Sequence, residues 1–452
     1  MFNIVLLVVL VLEIQADKLV QIQALWRHGA RTPIFCNWNC MYFRSHEMLE
    51  GYLTPTGMRQ HYVLGQWMRE KYIVKNKLLS DTFNASEITI YATDVNRTIM
   101  SAMSNFQGMY SNNGPNVPNN VEESFLKPPN PNAKPDDDIG QQAIKHQIQV
   151  LPIHMRAALT DIQLRAYGAP QCAQAAKFQI ENQHTELVKN VSVKAHDTII
   201  QFCNEMNIDP NNFTIFNMSE YMDTFYSSIY NDYPMPPNLK KETYDKADAA
   251  YSLTIALKLY QTWKQITTQS APFFDQLFDY TEKALNKSEN NKSFKYVVYS
   301  AHDVTVQLIA SALNITSAEC MAQVYLGQEV QNKNCIYTYP GFASNIIWEL
   351  WQEDTTNEPY FKILYNGTEM NLCNKNSTKC LYKDFKELIL AQKGDFEKDC
   401  DIEIEPIIEY RVPVWMTTLT IIFIVIIVGF CFYGIYLYKQ IRQDKTLLSQ
   451  NM

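Results

Sequence analysis

Three stretches of this chain repeat one local pattern, an apolar strand followed by a polar turn and then a helical segment. The strands lie in "DKLVQIQALW", "SEITIYA" and "FKYVVYS", and the turns that follow them begin "RHGARTP", "TDVNRT" and "AHDVT". This alternation is typical of α/β proteins, in which ligands bind beyond the carboxyl ends of parallel strands. We therefore predict an α/β fold with a three-layer, mostly parallel sheet core and one functional site at a sheet edge.

The polar turns carry six side chains that we expect to meet at that edge: Arg27, His28, Arg31, Arg97, His302 and Asp303. Guanidinium groups match the geometry of phosphate oxygens, and a neutral imidazole can form a covalent intermediate. A neighbouring carboxyl group can protonate a leaving alkoxide. The set predicts phosphoryl transfer through a phosphohistidine, with the first histidine as nucleophile, the aspartate as proton donor and the other four as phosphate ligands.

The rest of the chain predicts how these segments are organised. Residues 17–105 and 276–402 are expected to form the α/β core, and 106–275 a smaller, mostly helical insert. In the insert, Leu253, Ala256, Leu257 and Tyr260 have the spacing of one apolar helix face. The segments "SNIIWELWQ" and "YFKILYNG" are predicted to form a hairpin that completes the main sheet.

Both ends of the chain predict a membrane protein with a lumenal or extracellular domain. Residues 1–16 resemble a signal peptide, and 414–438 form an uncharged stretch of about 37 Å as a helix, enough to cross a bilayer. A stalk at 403–413 precedes this transmembrane helix, and a basic cytoplasmic tail at 439–452 follows it. The tail segments "DKTLL" and "YKQI" resemble endolysosomal sorting signals, with the plasma membrane as the alternative destination.

Asparagine and cysteine usage agree with that compartment. Besides the sequon at Asn96, we expect glycan acceptors at Asn84, Asn190, Asn212, Asn217, Asn286, Asn291, Asn314, Asn366 and Asn376. Nine of the ten cysteines precede the membrane segment, where an oxidising lumen favours disulfides. Their spacing does not fit a zinc site, so no metal or cofactor is predicted. The net charge of −8 gives no support to a nucleic-acid partner.

The motifs also resemble those of a known family. "RHGARTP" resembles the RHGxRxP signature of the histidine acid phosphatases, and Ser300 to Asp303 look like their HD motif. The likeness continues through "LTPTGMRQHYVLG" and "TDVNRTIMSAM", and is closest to the lysosomal and prostatic members. The resemblance implies an α/β domain with a smaller helical domain and a phosphate monoester substrate. Because the proton donor must be protonated at the start of the reaction, we also expect an acid pH optimum that is lost as Asp303 ionises. The resemblance also implies the six residue roles given above.

The chain departs from the family's pattern at a few positions. Trp26 stands where relatives usually carry Phe or another apolar residue, and Ala92 and Asn96 replace Arg and Asp. By resemblance, Cys172 should pair with Cys400 and Cys373 with Cys380. Nearness in sequence suggests Cys36–Cys40 and Cys320–Cys335 and leaves Cys203 unpaired, although spacing alone does not fix connectivity.

Two other classes of function remain open at this point. A catalytically silent receptor or adhesion protein on the same scaffold is disfavoured because His28 and Asp303 are both present. A mutase or an inositol-phosphate phosphatase of the His-Ala-Glu type is disfavoured by the His302-Asp303 pair. The remaining histidines are interpreted as structural or surface residues: His46, His61, His146, His154, His184 and His196. Whether the protein forms a homodimer is left open.

Overall fold

The computed structural model describes residues 17–400 except 47, 131, 134–137, 169, 287–292, 333–334 and 374–376. The predicted signal peptide, stalk, transmembrane helix and cytoplasmic tail therefore lie outside the described residues. Within the described part of the chain, no helix combines the length and the apolar character that a membrane span needs.

One sheet of eight strands runs through the molecule. The strands are β1 (Lys18–Arg27), β2 (Ile88–Thr93), β3 (Ile153–Arg156), β4 (Tyr296–Ala301), β5 (Asn345–Gln352), β6 (Pro359–Tyr365), β7 (Thr368–Glu369) and β8 (Cys380–Leu381). Their spatial order is β3-β2-β4-β1-β5-β6-β7, and β8 also pairs with β6. The predicted strands that precede the three polar turns thus lie side by side as β2, β4 and β1.

The sheet is mixed, so the prediction of a mostly parallel sheet was correct for only half of it. β3, β2, β4 and β1 pair in parallel, whereas β5 pairs antiparallel with β1, and β6 to β8 continue antiparallel. The predicted hairpin is confirmed as β5 and β6. The loop between these strands is short, and a short loop can only reverse the chain into an antiparallel neighbour.

Helices cover both faces of the sheet. They are α1 (Cys40–Ser45), α2 (Pro55–Met68), α3 (Asn96–Met109), α4 (Ala173–Asn182), α5 (Glu186–Met206), α6 (Ile215–Asn231), α7 (Lys241–Leu259), α8 (Trp263–Leu285), α9 (Asp303–Ala312), α10 (Ala318–Leu326), α11 (Tyr382–Leu390) and α12 (Phe396–Asp399). Short π and 3₁₀ segments lie at Arg69–Lys75, Glu123–Leu126 and Lys145–Gln147. One apolar cluster joins the sheet to α8, α9 and α11, and a second joins its other face to α2 and α3.

A third apolar cluster lies within the helices α5, α6, α7 and α10. Most of it comes from the predicted insert at 106–275, although two elements of that range belong to the sheet layers. β3 extends the sheet beside β2, and α8 packs on the sheet through Phe273 and Phe274. The division of the chain into core and insert stays a prediction.

Disulfides join distant parts of this fold. The structure pairs Cys172 with Cys400, Cys373 with Cys380, Cys36 with Cys40 and Cys320 with Cys335. Cys203 is buried in the helical cluster and has no disulfide partner among the described residues. The described sequon asparagines are all exposed, while two predicted acceptors, Asn291 and Asn376, lie outside the described residues.

Candidate active site

The pairing of β1 with β4 brings the two histidines together. In their parallel register Trp26 lies beside Ser300 and Arg27 beside Ala301, so both strands end at the same level. His28 follows β1 directly and its backbone N–H donates to the carbonyl of Ala301 at 3.0 Å. The two imidazole rings, of His28 and His302, lie with centroids 5.7 Å apart and nearly perpendicular.

A short hydrogen-bond chain connects the three elements that carry the site. The indole Nε1 of Trp26 on β1 donates to Ser300 Oγ on β4 at 2.8 Å. Ser300 Oγ donates in turn to the carbonyl oxygen of Thr98 on α3 at 2.7 Å. All of these groups are fully buried. These two hydrogen bonds therefore fix β1, β4 and the start of α3 relative to one another. The six predicted residues lie at or next to the ends of these elements.

His28 is held in one orientation and one tautomer. Its Nδ1 lies 2.8 Å from the carbonyl oxygen of Gly29, and because a carbonyl only accepts, Nδ1 carries the proton. The lone pair is then on Nε2. Burial lowers the pKa of His28 well below its usual value, and the positive charges of Arg97, Arg27 and Arg31 lower it further. These effects favour the neutral ring, which is the form that a nucleophile requires.

The glycine after the nucleophile is required by close backbone contact. A Cβ on Gly29 would lie 2.3 Å from the carbonyl oxygen of Gly57 at the start of α2. The N–H of Gly29 donates to Ser101 Oγ on α3 at 3.0 Å. The turn after β1 is thus held between α2 and α3, which limits the positions that the His28 ring can take.

Arg27 is fully buried beside Asp303. Its Nη2 lies 2.9 Å from Asp303 Oδ2, and its Nη1 donates to the carbonyl oxygen of Pro340 at 2.7 Å. The guanidinium also lies over two aromatic rings, 4.3 Å from the centroid of Phe342 and 4.8 Å from that of Tyr339. Burial alone would lower the pKa of Arg27, but the charge of Asp303 outweighs it and the pKa is raised. The group stays charged at every pH in which the protein folds.

Arg31 is held by a carboxylate that was not predicted from the sequence. Its Nη2 lies 2.6 Å from Asp223 Oδ1 and its Nη1 3.3 Å from Oδ2, a two-point contact between the turn after β1 and α6. Asp223 also accepts from the backbone N–H of Ile34 at 3.0 Å. The sequence does contain one indication of this role, because the aspartate lies among the apolar residues Met218, Met222 and Phe225 on the buried face of α6. A carboxylate at such a position needs a cation.

Arg97 and His302 form the third part of the site. Arg97 Nη2 contacts His302 Nδ1 at 3.4 Å, and because a guanidinium only donates, the ring proton of His302 is on Nε2. That N–H lies 2.9 Å from Thr93 Oγ1 at the end of β2. Burial, followed by the charge of Arg31, lowers the pKa of Arg97 to about 10, so it remains charged. Burial and the charge of Arg97 hold the pKa of His302 well below its usual range.

Asp303 begins α9 and is ionised in the ligand-free protein. Its Oδ1 accepts from the backbone N–H of Val304 at 2.8 Å, and its Oδ2 accepts from the hydroxyl of Tyr339 as well as facing Arg27. Burial would raise the pKa of this carboxyl, but the charge of Arg27 and the Tyr339 hydroxyl hold it far below its usual range. Tyr339, in the loop before β5, is the second residue that the sequence did not indicate.

A pocket of about 590 Å³ opens onto these groups. Its wall includes Arg31, Arg97, His302 and Asp303 at one end, and apolar side chains such as Phe35, Phe216 and Ile255 at the other. Arg27 and His28 are buried and are not part of the pocket wall. The contacts described above nevertheless bring all six predicted residues together at the carboxyl ends of β1, β2 and β4. In the described part of the chain, no group of three or more His, Cys, Asp or Glu residues is arranged to hold a metal ion.

Comparison with known families identifies the fold. The sequence matches the family model "Histidine phosphatase superfamily (branch 2)" over residues 44–366, which is more than half of the chain. The chain belongs to the histidine phosphatase superfamily. The matched range contains Arg97, His302 and Asp303, and the motif with His28 lies just before it.

Curated relatives within this family are acid phosphatases. The chain is 25% identical to the lysosomal acid phosphatase of Xenopus laevis over 397 residues, covering 85% of this chain and 79% of the relative. It is also 25% identical to the lysosomal acid phosphatase of Homo sapiens (77% and 71% covered) and 24% to the human prostatic acid phosphatase (76% and 80%). The chain is thus a phosphatase enzyme, as its motifs predicted.

Solved structures of the superfamily share the fold. The phytase of Citrobacter braakii aligns with a TM-score of 0.56 at 14% identity, covering 85% of this chain and 99% of that one. A multiple inositol polyphosphate phosphatase of Bifidobacterium longum aligns with a TM-score of 0.52 at 13% identity, covering 85% and 95%. At these identities the likeness concerns the fold alone.

The ion pair of Arg31 with Asp223 gives a first prediction. Asp223→Ala should lower the free energy of unfolding by about 3–5 kcal/mol, because it leaves a buried guanidinium without its carboxylate. Added inorganic phosphate should restore part of that loss, since an anion in the pocket can replace the missing charge. Denaturant unfolding with and without phosphate measures both effects.

A matched control is available on the neighbouring helix. Asp245 forms an exposed ion pair with Lys241 on α7, and Asp245→Ala should change the free energy of unfolding by less than about 1 kcal/mol. Equal losses in the two variants would contradict the role given to Asp223.

Proposed function

We propose that this chain is an acid phosphatase that hydrolyses phosphate monoesters through a phosphohistidine at His28. The observation that carries the proposal is the hydrogen bond from His28 Nδ1 to the carbonyl oxygen of Gly29. It leaves the Nε2 lone pair of a neutral, buried ring among Arg27, Arg31, Arg97 and His302. A nucleophilic nitrogen surrounded by guanidinium groups fits an electrophile that carries negative oxygens, such as a phosphoryl group.

In the first chemical step, His28 Nε2 attacks phosphorus and the bond from phosphorus to the ester oxygen breaks. The three arginines bind the phosphoryl oxygens and stabilise the charge that they carry in the transition state. Asp303 gives a proton to the departing oxygen, so that an alcohol leaves instead of an alkoxide. His302 Nδ1 accepts from Arg97 Nη2 at 3.4 Å, so the ring helps to orient Arg97 toward the same phosphoryl group.

In the second step, water replaces the histidine. Asp303, now a carboxylate, accepts a proton from the water molecule whose oxygen attacks phosphorus. The bond between phosphorus and His28 Nε2 then breaks. Asp303 returns its proton to the phosphate, which leaves as the monoanion, and the carboxylate is restored for the next ester. The imidazole returns to its neutral form, because Nδ1 keeps its proton throughout and donates it in a hydrogen bond to the carbonyl oxygen of Gly29.

The origin of the acid optimum differs from the one expected from the sequence. Asp303 alone does not hold a proton in the acid range, because Arg27 and Tyr339 keep its pKa far below the usual value. A phosphate monoester loses its second proton near pH ~6 and is a monoanion below that. The proton needed by the leaving group therefore arrives with the monoanionic ester and passes to Asp303 when the phosphoryl oxygens meet the arginines. The value of kcat/KM should fall above that pH, because the free dianion brings no proton to the site.

The covalent step has a direct test. His28→Ala should abolish turnover of every phosphate ester, since no intermediate can form. In the unchanged enzyme, rapid quenching during turnover followed by mass spectrometry should find an acid-labile, base-stable phosphate on His28. Turnover by His28→Ala at more than about a thousandth of the normal rate would contradict the assignment.

The acid role of Asp303 is tested by the choice of ester. Asp303→Asn keeps the shape of the side chain but removes the carboxyl, and should slow an alkyl phosphate by about 10²–10⁴-fold. A nitrophenyl phosphate should lose less, because its anion leaves without a proton. Steady-state rates on the two esters give the comparison. Equal losses would mean that Asp303 does not act as the acid.

The alternative functions find less support in the geometry. A silent receptor on this scaffold has no need to keep a neutral histidine oriented beside three charged arginines. The phytases and inositol phosphatases share the fold at 11–14% identity, and at that level the likeness does not support an inositol phosphate as the substrate of this chain. The association of two copies as a homodimer stays a prediction.

The proposed setting is the lumen of an acidic endolysosomal compartment, with the chain anchored by one transmembrane helix at 414–438. Lysosomal acid phosphatases among the relatives support this, and so do the exposed described sequons and the disulfides. The signal peptide at 1–16 and the tail segment "DKTLL" complete the proposal. A neutral nucleophile and a substrate that carries its own proton both suit an acid lumen.

The sorting role of the tail can be measured in cells. Replacing Leu447 and Leu448 by Ala should raise the fraction of the protein at the cell surface several-fold, because the receptor-read signal is lost. Surface biotinylation gives that fraction, and replacement of Ser449 and Gln450 by Ala is the matched control. An unchanged surface fraction would show that Leu447 and Leu448 do not act as a sorting signal.

A further inference from the structure

The hydroxyl of Tyr339 is bonded to the carboxylate that the reaction uses. It donates to Asp303 Oδ2, and the same oxygen faces Arg27 Nη2 at 2.9 Å. The other oxygen, Oδ1, accepts from the backbone N–H of Val304 at 2.8 Å. Tyr339 and Asp303 both line the pocket, so this contact lies at the place where a substrate enters.

The ring of Tyr339 is itself fixed from three sides. It lies 4.8 Å from the guanidinium of Arg27 and packs against Tyr251 with centroids 5.0 Å apart. The next residue, Pro340, accepts a hydrogen bond from Arg27 Nη1 through its carbonyl. The hydroxyl is therefore carried by a side chain that has little freedom to turn away from Asp303.

We propose that Tyr339 is a positioning residue for the acid step, and that its hydroxyl holds Oδ2 of Asp303 so that Oδ1 delivers the proton to the leaving oxygen. The proposal rests on the role proposed for Asp303. The Tyr339 hydroxyl donates to Oδ2 and Arg27 Nη2 forms an ion pair with the same oxygen at 2.9 Å, whereas a single backbone N–H meets Oδ1. Without the hydroxyl, the carboxylate can rotate about its Cβ–Cγ bond and exchange the two oxygens.

The same hydroxyl also affects the pH at which Asp303 takes up a proton. A donor bonded to a carboxylate favours the ionised form, so the Tyr339 hydroxyl lowers the pKa of Asp303 and its removal raises it. The other charged or titratable groups that act on this carboxyl come from several elements: Arg27, Arg31, Arg97, Tyr167, Tyr251, Tyr260 and His302. Of these groups, Tyr251 loses a side-chain hydrogen bond when the Tyr339 oxygen is removed, whereas the three arginines and His302 keep their contacts with Asp303.

Tyr339→Phe tests the proposal because it keeps the ring beside Arg27 and removes only the hydroxyl. In the enzyme–substrate complex the proton that the ester brought lies on Asp303, so the alkaline limb of the kcat profile reports its loss from that carboxyl. This limb should move to higher pH by about one unit, the size of effect expected from one hydrogen bond to a charged group. Near the optimum, kcat on an alkyl phosphate should fall roughly ten-fold, and kcat on a nitrophenyl phosphate should fall less. KM should change little, because the arginines keep their positions.

Tyr360→Phe is the matched control for a loss of stability. The hydroxyl of Tyr360 donates to Asp17 Oδ2 at 2.6 Å, the same kind of contact at the other end of β1, about 30 Å from the site. This variant should keep the pH profile and the ratio of the two ester rates unchanged. Thermal melting of both variants shows whether the fold is affected equally.

The outcomes separate this proposal from the one on which it rests. If Tyr339→Phe leaves the alkaline limb in place and slows both esters equally, Tyr339 has only a structural role and the proposal is wrong. If Asp303→Asn slows both esters equally, the acid assignment itself fails, whatever Tyr339→Phe does. In an Asp303→Asn background, adding Tyr339→Phe should not change the ratio of the ester rates further, and a further change would overturn the coupling between the two residues.

Discussion

The parallel pairing of β1 with β4 is the interaction on which the site depends. It sets Arg27 and His28 beside Ala301 and His302, although these residues are more than 270 positions apart in the sequence. The next strand, β2, pairs with the other edge of β4 and brings Thr93 and the start of α3 to the same level. A shift of one residue in either register would send the nucleophile and the acid to opposite faces of the sheet.

Charge balance explains how a buried site can hold so many ionised groups. Three guanidiniums meet two carboxylates, and burial and the arginines keep the two histidines neutral. The ligand-free site therefore carries about one net positive charge, which a monoanionic phosphate ester would cancel. Arg27 and Arg31 are each paired with a carboxylate, whereas Arg97 has no carboxylate within ion-pair distance among the described residues. We expect Arg97 to be the first of the three to turn to an arriving phosphate.

The sequence predicted the residues at strand ends and missed those that reach the site from elsewhere. Arg27 ends an apolar strand, His28 and His302 each follow one directly, and that local pattern is visible in the sequence. Asp223 and Tyr339 come from a helix and a loop with no such pattern, and only their packing against Arg31 and Arg27 gives them a role. β3 was missed for a related reason: only four residues form it, and they become a strand because β2 offers an unpaired edge.

The hydrogen-bond chain from Trp26 through Ser300 to Thr98 has a consequence for how this enzyme can diverge. A phenylalanine at position 26 has no N–H, so it would leave the buried Ser300 hydroxyl with one partner fewer. The two positions should therefore change together during evolution. A tryptophan at position 26 should occur with a hydroxyl side chain at position 300, and a phenylalanine at position 26 with another side chain at position 300. Trp26 directly precedes Arg27, and Ser300 lies two residues before His302. Paired substitutions at these positions therefore offer a route by which related enzymes can adjust the spacing between nucleophile and acid without altering either.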